Sequence, residues 1–418
     1  MIISNICRNF RNGKNFIHSK IVVSSKFSSY TSTLPDKFYN EEQLEMQKSL
    51  RKIIDTEINP FVDEWEAKEQ FPSHELFKKL GDAGFLGVNK PTEYGGLGLD
   101  YKYQAAIIEE FGLINCGSIP MAAGVQMDMA TPALANFGSD KLKKQFLEPA
   151  IRGDFVCCVG VTEPGAGSDV AGIRTKAIRD GDDLVINGEK MWITNGMKAD
   201  WMCMLANTSD GKPHRNKSLI IVPLNSKGVT RTKLKKLGMH SSDTALIHFD
   251  NVRVPYENII GEEGAGFIYQ MLQFQQERIC GSLMFLKGMD RVLAKTIEYT
   301  SQRKAFGKSI LDNQVVHFRL SELATELEAL RALTYTAVDL HSAGENVTLL
   351  ASMIKLKSGK LARESGDACL QYWGGMGYSS EAHVSRFFRD ARLGSIGGGA
   401  DEVCLEIICK LAGISGKK

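Results

Sequence analysis

The hydrophobic periodicity of this chain changes twice, and the order of those changes leaves few architectures open. From about residue 40 to 150 apolar positions recur three to four apart, as in EEQLEMQKSLRKIIDTEINPFVDEW, and SHELFKKLGDAGF reads as a helix with a Ser cap and a glycine stop. From about 156 to 260 the texture is β-rich: FVCCVGVT, DLVINGEKMWIT, WMCMLANT, SLIIVPL and TALIHFDNVRVP alternate with Gly, Asp and Asn turns. After GEEGAG the helical period returns, with Val316, Leu320, Leu323, Leu327 and Leu330 at steps of four and three, the stripe of a helix buried against other helices. The order helices, strands, helices excludes a doubly wound sheet, because nothing alternates strand and helix. The predicted divisions are a leader over 1–35, a helical domain over 36–154, a β domain over 155–262 and a helical bundle over 263–418.

The leader carries Arg8, Arg11, Lys14, Lys20 and Lys26 and no acid before Asp36, the composition of a mitochondrial import segment; a disordered basic tail is the alternative. Removing it takes the net charge from +2 to −3 (+2 minus 5), which withdraws the compositional case for nucleic acid. No apolar run is long enough to span a bilayer. The nine cysteines show neither CxxC pairing nor zinc spacing, so no metal is expected and the thiols are expected to be reduced and mostly buried.

Two nucleotide-like motifs fail. Gly307-Lys308-Ser309 resembles the end of a phosphate loop, but the earlier glycine would fall on Gln302 and the context reads as helix; Gly165 and Gly167 lack a third glycine, since Val170 stands there. VGVTEPGAGSD (159–169) is the stronger signal: a β run enters a Pro-Gly-x-Gly turn flanked by Thr162 and Ser168, presenting backbone N–H groups and hydroxyls on one side. In NGEKMWITNG (187–196) an expected Asn-Gly hairpin leads to Trp192 and Thr194, an aromatic beside a hydroxyl that suits a flat heteroaromatic cofactor.

With these pieces in place, PTEYGGLG (91–98), TEPGAGSD, GEKMWITNG, RKAFGK (303–308), QYWGGMGY (371–378) and RDARLGSI (389–396) together resemble the acyl-CoA dehydrogenase family, in order and spacing, from about residue 38 onward. The resemblance implies an α+β multidomain fold: an N-terminal α-helical domain, a middle β-barrel or sandwich, and a C-terminal four-helix bundle. It implies non-covalent FAD, held by Val159, Val161, Thr162, Gly167 and Ser168, and by Trp192, Ile193 and Thr194. Arg303, Phe306 and Gln314 match phosphate and adenosine contacts. Gln371, Tyr372, Trp373, Gly374 and Gly375 match a loop that reaches a neighbouring subunit's FAD, and Ala400, Asp401 and Glu402 match the segment near the flavin. It further implies an acyl-CoA substrate, electron-transfer flavoprotein as acceptor, a homotetramer and the mitochondrial matrix. A flavin oxidase or monooxygenase, or a non-enzymatic scaffold on the same fold, remains the alternative.

The desaturation expected of such a site needs a base at Cα opposite the hydride acceptor. Most of the family carries it as a glutamate just after the RDAR helix, where this chain reads Gly397-Gly398-Gly399-Ala400. Glu277, in QMLQFQQERICG, shares a helix face with Phe274, Cys280 and Gly281, where an apolar pocket would raise its pKa. QFQQERI resembles the branch of the family that carries its base on this helix, which assigns the role to Glu277. Ser168, Phe274, Gln275, Arg278, Gly398 and Gly399 are then the expected thioester contacts. Gly398 is expected to be required because a side chain there would strike the carboxylate or the substrate, while its N–H polarises the carbonyl. The segment 118–138 is expected to line the acyl pocket.

Overall fold

The structure, a computed structural model, describes residues 32–414. The leader reading therefore lies outside the described residues, apart from its last few positions, where the short helix Leu34–Phe38 begins.

The N-terminal helices form where the periodicity placed them. Glu41–Ile53 opens on a capping box: Gln43 N donates to the Asn40 side chain at 2.8 Å, and Asn40 N donates back to the Gln43 side chain at 3.0 Å. Ser73, read as a cap, is instead the first residue inside Ser73–Asp82; its hydroxyl is buried without a partner, while Gly84 ends the segment at φ +81° as expected. Helices Ser118–Gly124 and Pro132–Phe137 flank a π-helical stretch, Val125–Ala130.

Eight strands form one mixed sheet: β1 (Cys157–Gly160), β2 (Lys176–Asp180), β3 (Asp183–Ile193), β4 (Trp201–Asn207), β5 (Lys217–Pro223), β6 (Val229–Lys233), β7 (Ala245–Pro255) and β8 (Ile259–Ile260). The order is β6-β7-β3-β2-β4-β5-β8, with β1 added parallel to β4 so that Val159 lies opposite Cys203. The Asn187-Gly188 pair does not turn a hairpin. It sits inside β3 as an irregularity in the pairing with β7, Gly188 at φ +144°, because β3 continues to Ile193.

The C-terminal region is built round Thr348–Trp373, against which pack the long helix Gly266–Gln302, the helix Gln314–Ser342 and the shorter His383–Ala391 and Asp401–Leu411. Val316, Leu320, Leu323, Leu327 and Leu330 are all buried, as their stripe predicted. Gly307-Lys308-Ser309 is not in a helix: Lys304–Ala305 and Lys308–Ser309 pair as a small antiparallel hairpin, its turn formed by Phe306 (φ +53°) and Gly307 (φ +81°).

A buried charge hub joins the two helical regions. Arg331 on Gln314–Ser342, fully buried, donates to Glu109 of Tyr101–Phe111 at 2.8 Å and to Asp290 of the long helix at 2.6 Å, and Tyr39 and Tyr335 donate to Glu109 at 2.9 Å. Replacing Arg331 by Leu leaves the Glu109 carboxylate without its cation. A loss of about 3–5 kcal/mol is expected, the range for stripping one partner from a buried ion pair. It would be read as a lower urea midpoint, and an unchanged midpoint would show that the hub contributes nothing.

Candidate active site

β1 runs straight into residues 161–169, and that loop is shaped from beneath by a buried ion pair. Lys190 of β3 is fully buried and donates to Glu163 at 2.8 Å and to the Val161 carbonyl at 3.0 Å. Glu163 also accepts Arg174 N at 2.6 Å and Thr175 N at 3.0 Å. Burial opposes the charge of both groups. It brings the Lys190 ammonium down to about 8, whereas at Glu163 the attraction of Lys190 and the donated hydrogen bonds outweigh it and hold the carboxyl below its usual range. Glu163 and Ala166 exchange backbone bonds at 3.0 and 3.1 Å, and Met191 N donates to Thr162 O at 2.8 Å, tying the loop to β3. Val161 and Ala166 face inward, while Gly165, Gly167 and Ser168 are exposed; a Cβ on Gly165 would meet nothing within 4 Å.

Next to this open edge β3 ends on an unusual residue. Trp192 adopts φ +62°, a left-handed conformation that a bulky side chain rarely occupies, and leaves its indole 54% exposed. Ile193 is buried and Thr194 half-buried in the turn that follows. Asn195, also left-handed, anchors that turn by donating to the Ala122 and Cys157 carbonyls at 3.1 Å. A strained aromatic held out beside a glycine edge is a surface shaped for a flat ring.

Glu277 lies on the long helix, 8% exposed. Gln270 and Gln273, two turns and one turn earlier, each donate a side-chain N–H to its Oε1 at 3.3 Å. Gln273 also donates to the Met129 carbonyl and accepts Ala133 N at 3.1 Å, so it clamps the carboxyl to the 125–137 segment. No donor reaches Oε2 among the described residues. Burial raises the Glu277 carboxyl to about 8; the amides and Arg278 oppose that shift, and Asp128 adds to it. Cys280 is buried on the same face, and a Cβ at Gly281 would find no atom within 4 Å, so there is room beside the acid. Behind it lies Asp128, fully buried, which accepts hydrogen bonds from Gln276 and from Gln104 (3.3 Å).

The triple-glycine turn passes the same stretch of helix. Gly398 and Gly399 take φ +64° and +97°. Gly399 O accepts from Lys355 Nζ, and a Cβ on Gly399 would lie 3.9 Å from Arg278 Nε. A Cβ at Gly398 would approach nothing closer than Lys355 Cε at 3.9 Å, so the constraint visible within the protein is the left-handed backbone. Arg278 is buried with its Nε unpartnered and its guanidinium 5.9 Å from the Phe274 ring; Phe274 and Gln275 are half-buried. Asp401 turns inward, one oxygen 3.4 Å from Arg363 and the other without a partner, while Ala400 precedes the helix and Glu402 is exposed.

The remaining expected residues gather elsewhere. Arg303 donates to Tyr299 Oη and to the Trp373 carbonyl, both at 2.9 Å, and Tyr299 stacks on Trp373 at 4.1 Å between ring centres. Gly374 (φ +58°) lies against the Arg303 guanidinium, so Arg303 and the Gln371–Gly375 segment form one surface unit; Tyr372 Oη donates to Val315 O at 3.0 Å, beside the exposed Gln314. Phe306 projects fully exposed from its hairpin. Among the described residues no hydrogen bond joins this unit to the loop over 159–194.

Comparison with known proteins bears on this geometry. The family descriptions "Acyl-CoA dehydrogenase, N-terminal domain", "middle domain" and "C-terminal domain" match residues 40–154, 158–252 and 264–412. The long-chain specific acyl-CoA dehydrogenase, mitochondrial, of Sus scrofa is 35% identical over 90% of this chain and 87% of its own length. An acyl-CoA dehydrogenase of Bacillus subtilis (strain 168) is 34% identical over 88% of this chain and 97% of its own. The crystal structure of acyl-CoA dehydrogenase from Geobacillus kaustophilus superposes with a TM-score of 0.86 at 34% identity, covering 90% of this chain and 99% of that one. This chain belongs to the acyl-CoA dehydrogenase family.

Acyl-CoA dehydrogenases are FAD-dependent oxidoreductases, and the exposed glycine edge beside the left-handed Trp192 fits a flavin ring. Sequence reasoning missed Lys190, Glu163, Asp128, Gln270 and Gln273. The two glutamines had a readable signal, because they precede Glu277 at helical spacing; the buried Lys190–Glu163 pair had none.

The Glu277 carboxyl makes a signed prediction. Its folded value, about 8, exceeds the usual 4.5, so its contribution to stability is complete below 4.5 and is lost as pH rises to 8. The melting temperature of Glu277→Gln should therefore gain on that of the parent between pH 5 and 8 and level off above; a pH-independent difference would mean the carboxyl ionises as an exposed one does.

Proposed function

We propose that this protein desaturates acyl-CoA thioesters to trans-2-enoyl-CoA, with Glu277 as the base at Cα. The observation that carries the reading is a buried carboxyl whose Oε1 is pinned by Gln270 and Gln273, whose Oε2 has no donor among the described residues, and whose flank at Gly281 is open. A base tuned to about 8 takes a weakly acidic proton better than an ordinary carboxylate would. FAD, when bound, supplies the acceptor for the hydride leaving Cβ. Residues 159–168 and 192–194 hold the ring, Ser168 and the Gly398–Gly399 backbone orient the thioester, and Phe274, Gln275 and Arg278 wall the entrance. Ala400 to Glu402 close the flavin side.

The exposed unit of Arg303, Phe306, Gln314 and Gln371–Gly375 serves the cofactor of a second copy in a homotetramer. An isolated chain would leave the Phe306 ring in water. The acceptor is electron-transfer flavoprotein. The matrix location rests on the basic, acid-free leader and on likeness to a relative whose name includes "mitochondrial".

Glu277→Gln should abolish bleaching of the flavin by acyl-CoA while the yellow cofactor stays bound; turnover within threefold of the parent would remove Glu277 from the chemistry. On that background Gly398→Glu should restore a measurable fraction, held low because an L side chain must enter a left-handed turn. In air, slow reoxidation after anaerobic reduction separates a dehydrogenase from an oxidase.

A further inference from the structure

Two adjacent rows of the long helix meet the Val125–Ala130 segment. Gln273 and Glu277 form one row: Gln273 donates to the Met129 carbonyl and, at 3.3 Å, to the acid. Gln276 and Cys280 form the row beside it: Gln276 donates to Oδ1 of Asp128, and the Cys280 thiol faces the same carboxyl. The consecutive residues 128 and 129 thus grip the row that bears the acid and the row next to it. Gln104 of Tyr101–Phe111 donates to Oδ2 of Asp128 at 3.3 Å, so a third element closes on this one side chain. The segment that presents it is π-helical, a geometry frequent at functional sites.

An acid at 128 is a costly choice for a core. Asp128 is fully buried, its nitrogen donors are neutral amides, and among the described residues it makes no salt bridge. Lys90, the cation that attracts it, is buried as well and donates to Asn89 Oδ1 at 2.7 Å. A buried carboxylate without a bonded cation is expensive to desolvate, whereas an asparagine of the same shape would accept an amide with no charge to strip of water. The other titratable groups facing the two acids are Tyr101, His341 and Cys280 around Asp128, and Arg278, Cys203 and Cys280 around Glu277. Burial holds the phenol and both thiols protonated and the His341 ring neutral, so the charges acting on Glu277 are those of Asp128, Lys90 and Arg278.

We propose that Asp128 is a positioning residue for Glu277: through Gln276 it fixes the helix row beside the acid, and its negative charge, held behind the acid, disfavours a second charge there. A carboxylate that binds its proton more tightly takes one from Cα more readily, so an acid that weakens packing can strengthen a base. The proposal rests on the desaturation reading for calling Glu277 the base, and not for the coupling between the two carboxyls.

The test uses the full-length holoprotein and two substitutions that remove the charge, Asp128→Asn and Asp128→Ser. With the like charge gone, Glu277 should ionise about one unit lower. The gain in melting temperature that Glu277→Gln shows as pH rises, which should continue to about 8 in the parent, should then level off at about 7 in either Asp128 background. A levelling point unmoved in both backgrounds, or moved upward, overturns the proposal. So does loss of fold and FAD in both, which would make Asp128 a requirement of the fold alone. Flavin bleaching by octanoyl-CoA gives a second reading. In Asp128→Asn the acid limb of the limiting rate should move down with the melting curve and the plateau should fall at least about threefold, while the half-saturating octanoyl-CoA concentration stays within about twofold. An acid limb that stays put while the melting curves shift removes Glu277 from the chemistry and leaves the coupling standing. If no acyl-CoA bleaches the parent, the melting curves still decide, and it is the desaturation reading that fails.

Discussion

A carboxyl buried beside apolar side chains resists ionisation, and the whole neighbourhood of Glu277 is arranged around that resistance. Arg278, the cation beside it in sequence, projects toward Gly399 rather than pairing with it, so the acid is held by neutral amides. Amide dipoles fix the position of a group without forcing its charge, which a salt bridge would do. The buried Asp128 behind it adds a negative field. The result is a side chain fixed in place and reluctant to lose its proton, the condition in which a modest change of surroundings shifts its protonation.

The charged pairs that the fold does bury lie away from that acid and serve to position elements. Lys190 and Glu163 prop the loop over 161–169 from behind, leaving its glycines facing outward. Arg331 binds the Tyr101–Phe111 helix to the long helix through Glu109 and Asp290, and Lys287 reaches Glu110 one residue along. These bonds fix the long helix against the N-terminal domain.

Much of this was legible in the sequence where the physics is local. The leucine stripe of Gln314–Ser342, the strand-rich middle and the Glu277 face each follow from a period that one element imposes by itself. Asn187-Gly188 has hairpin chemistry, yet β7 supplies a partner on which β3 can continue, and the pair becomes a bulge. Gly398 carries a left-handed φ, which a sequence does not display. Lys190 and Asp128 are buried because the fold brings Glu163 and Gln276 to them. For the bulge and the buried charges the missing information was long-range contact.

Gly398 and Gly399 occupy left-handed backbone, and that has a bearing on what can stand there. A glutamate introduced at 398 would enter a left-handed turn at a cost of about 1–2 kcal/mol, whatever it then did for the chemistry. The turn penalises an acid there through its main-chain torsions rather than through any contact within the protein.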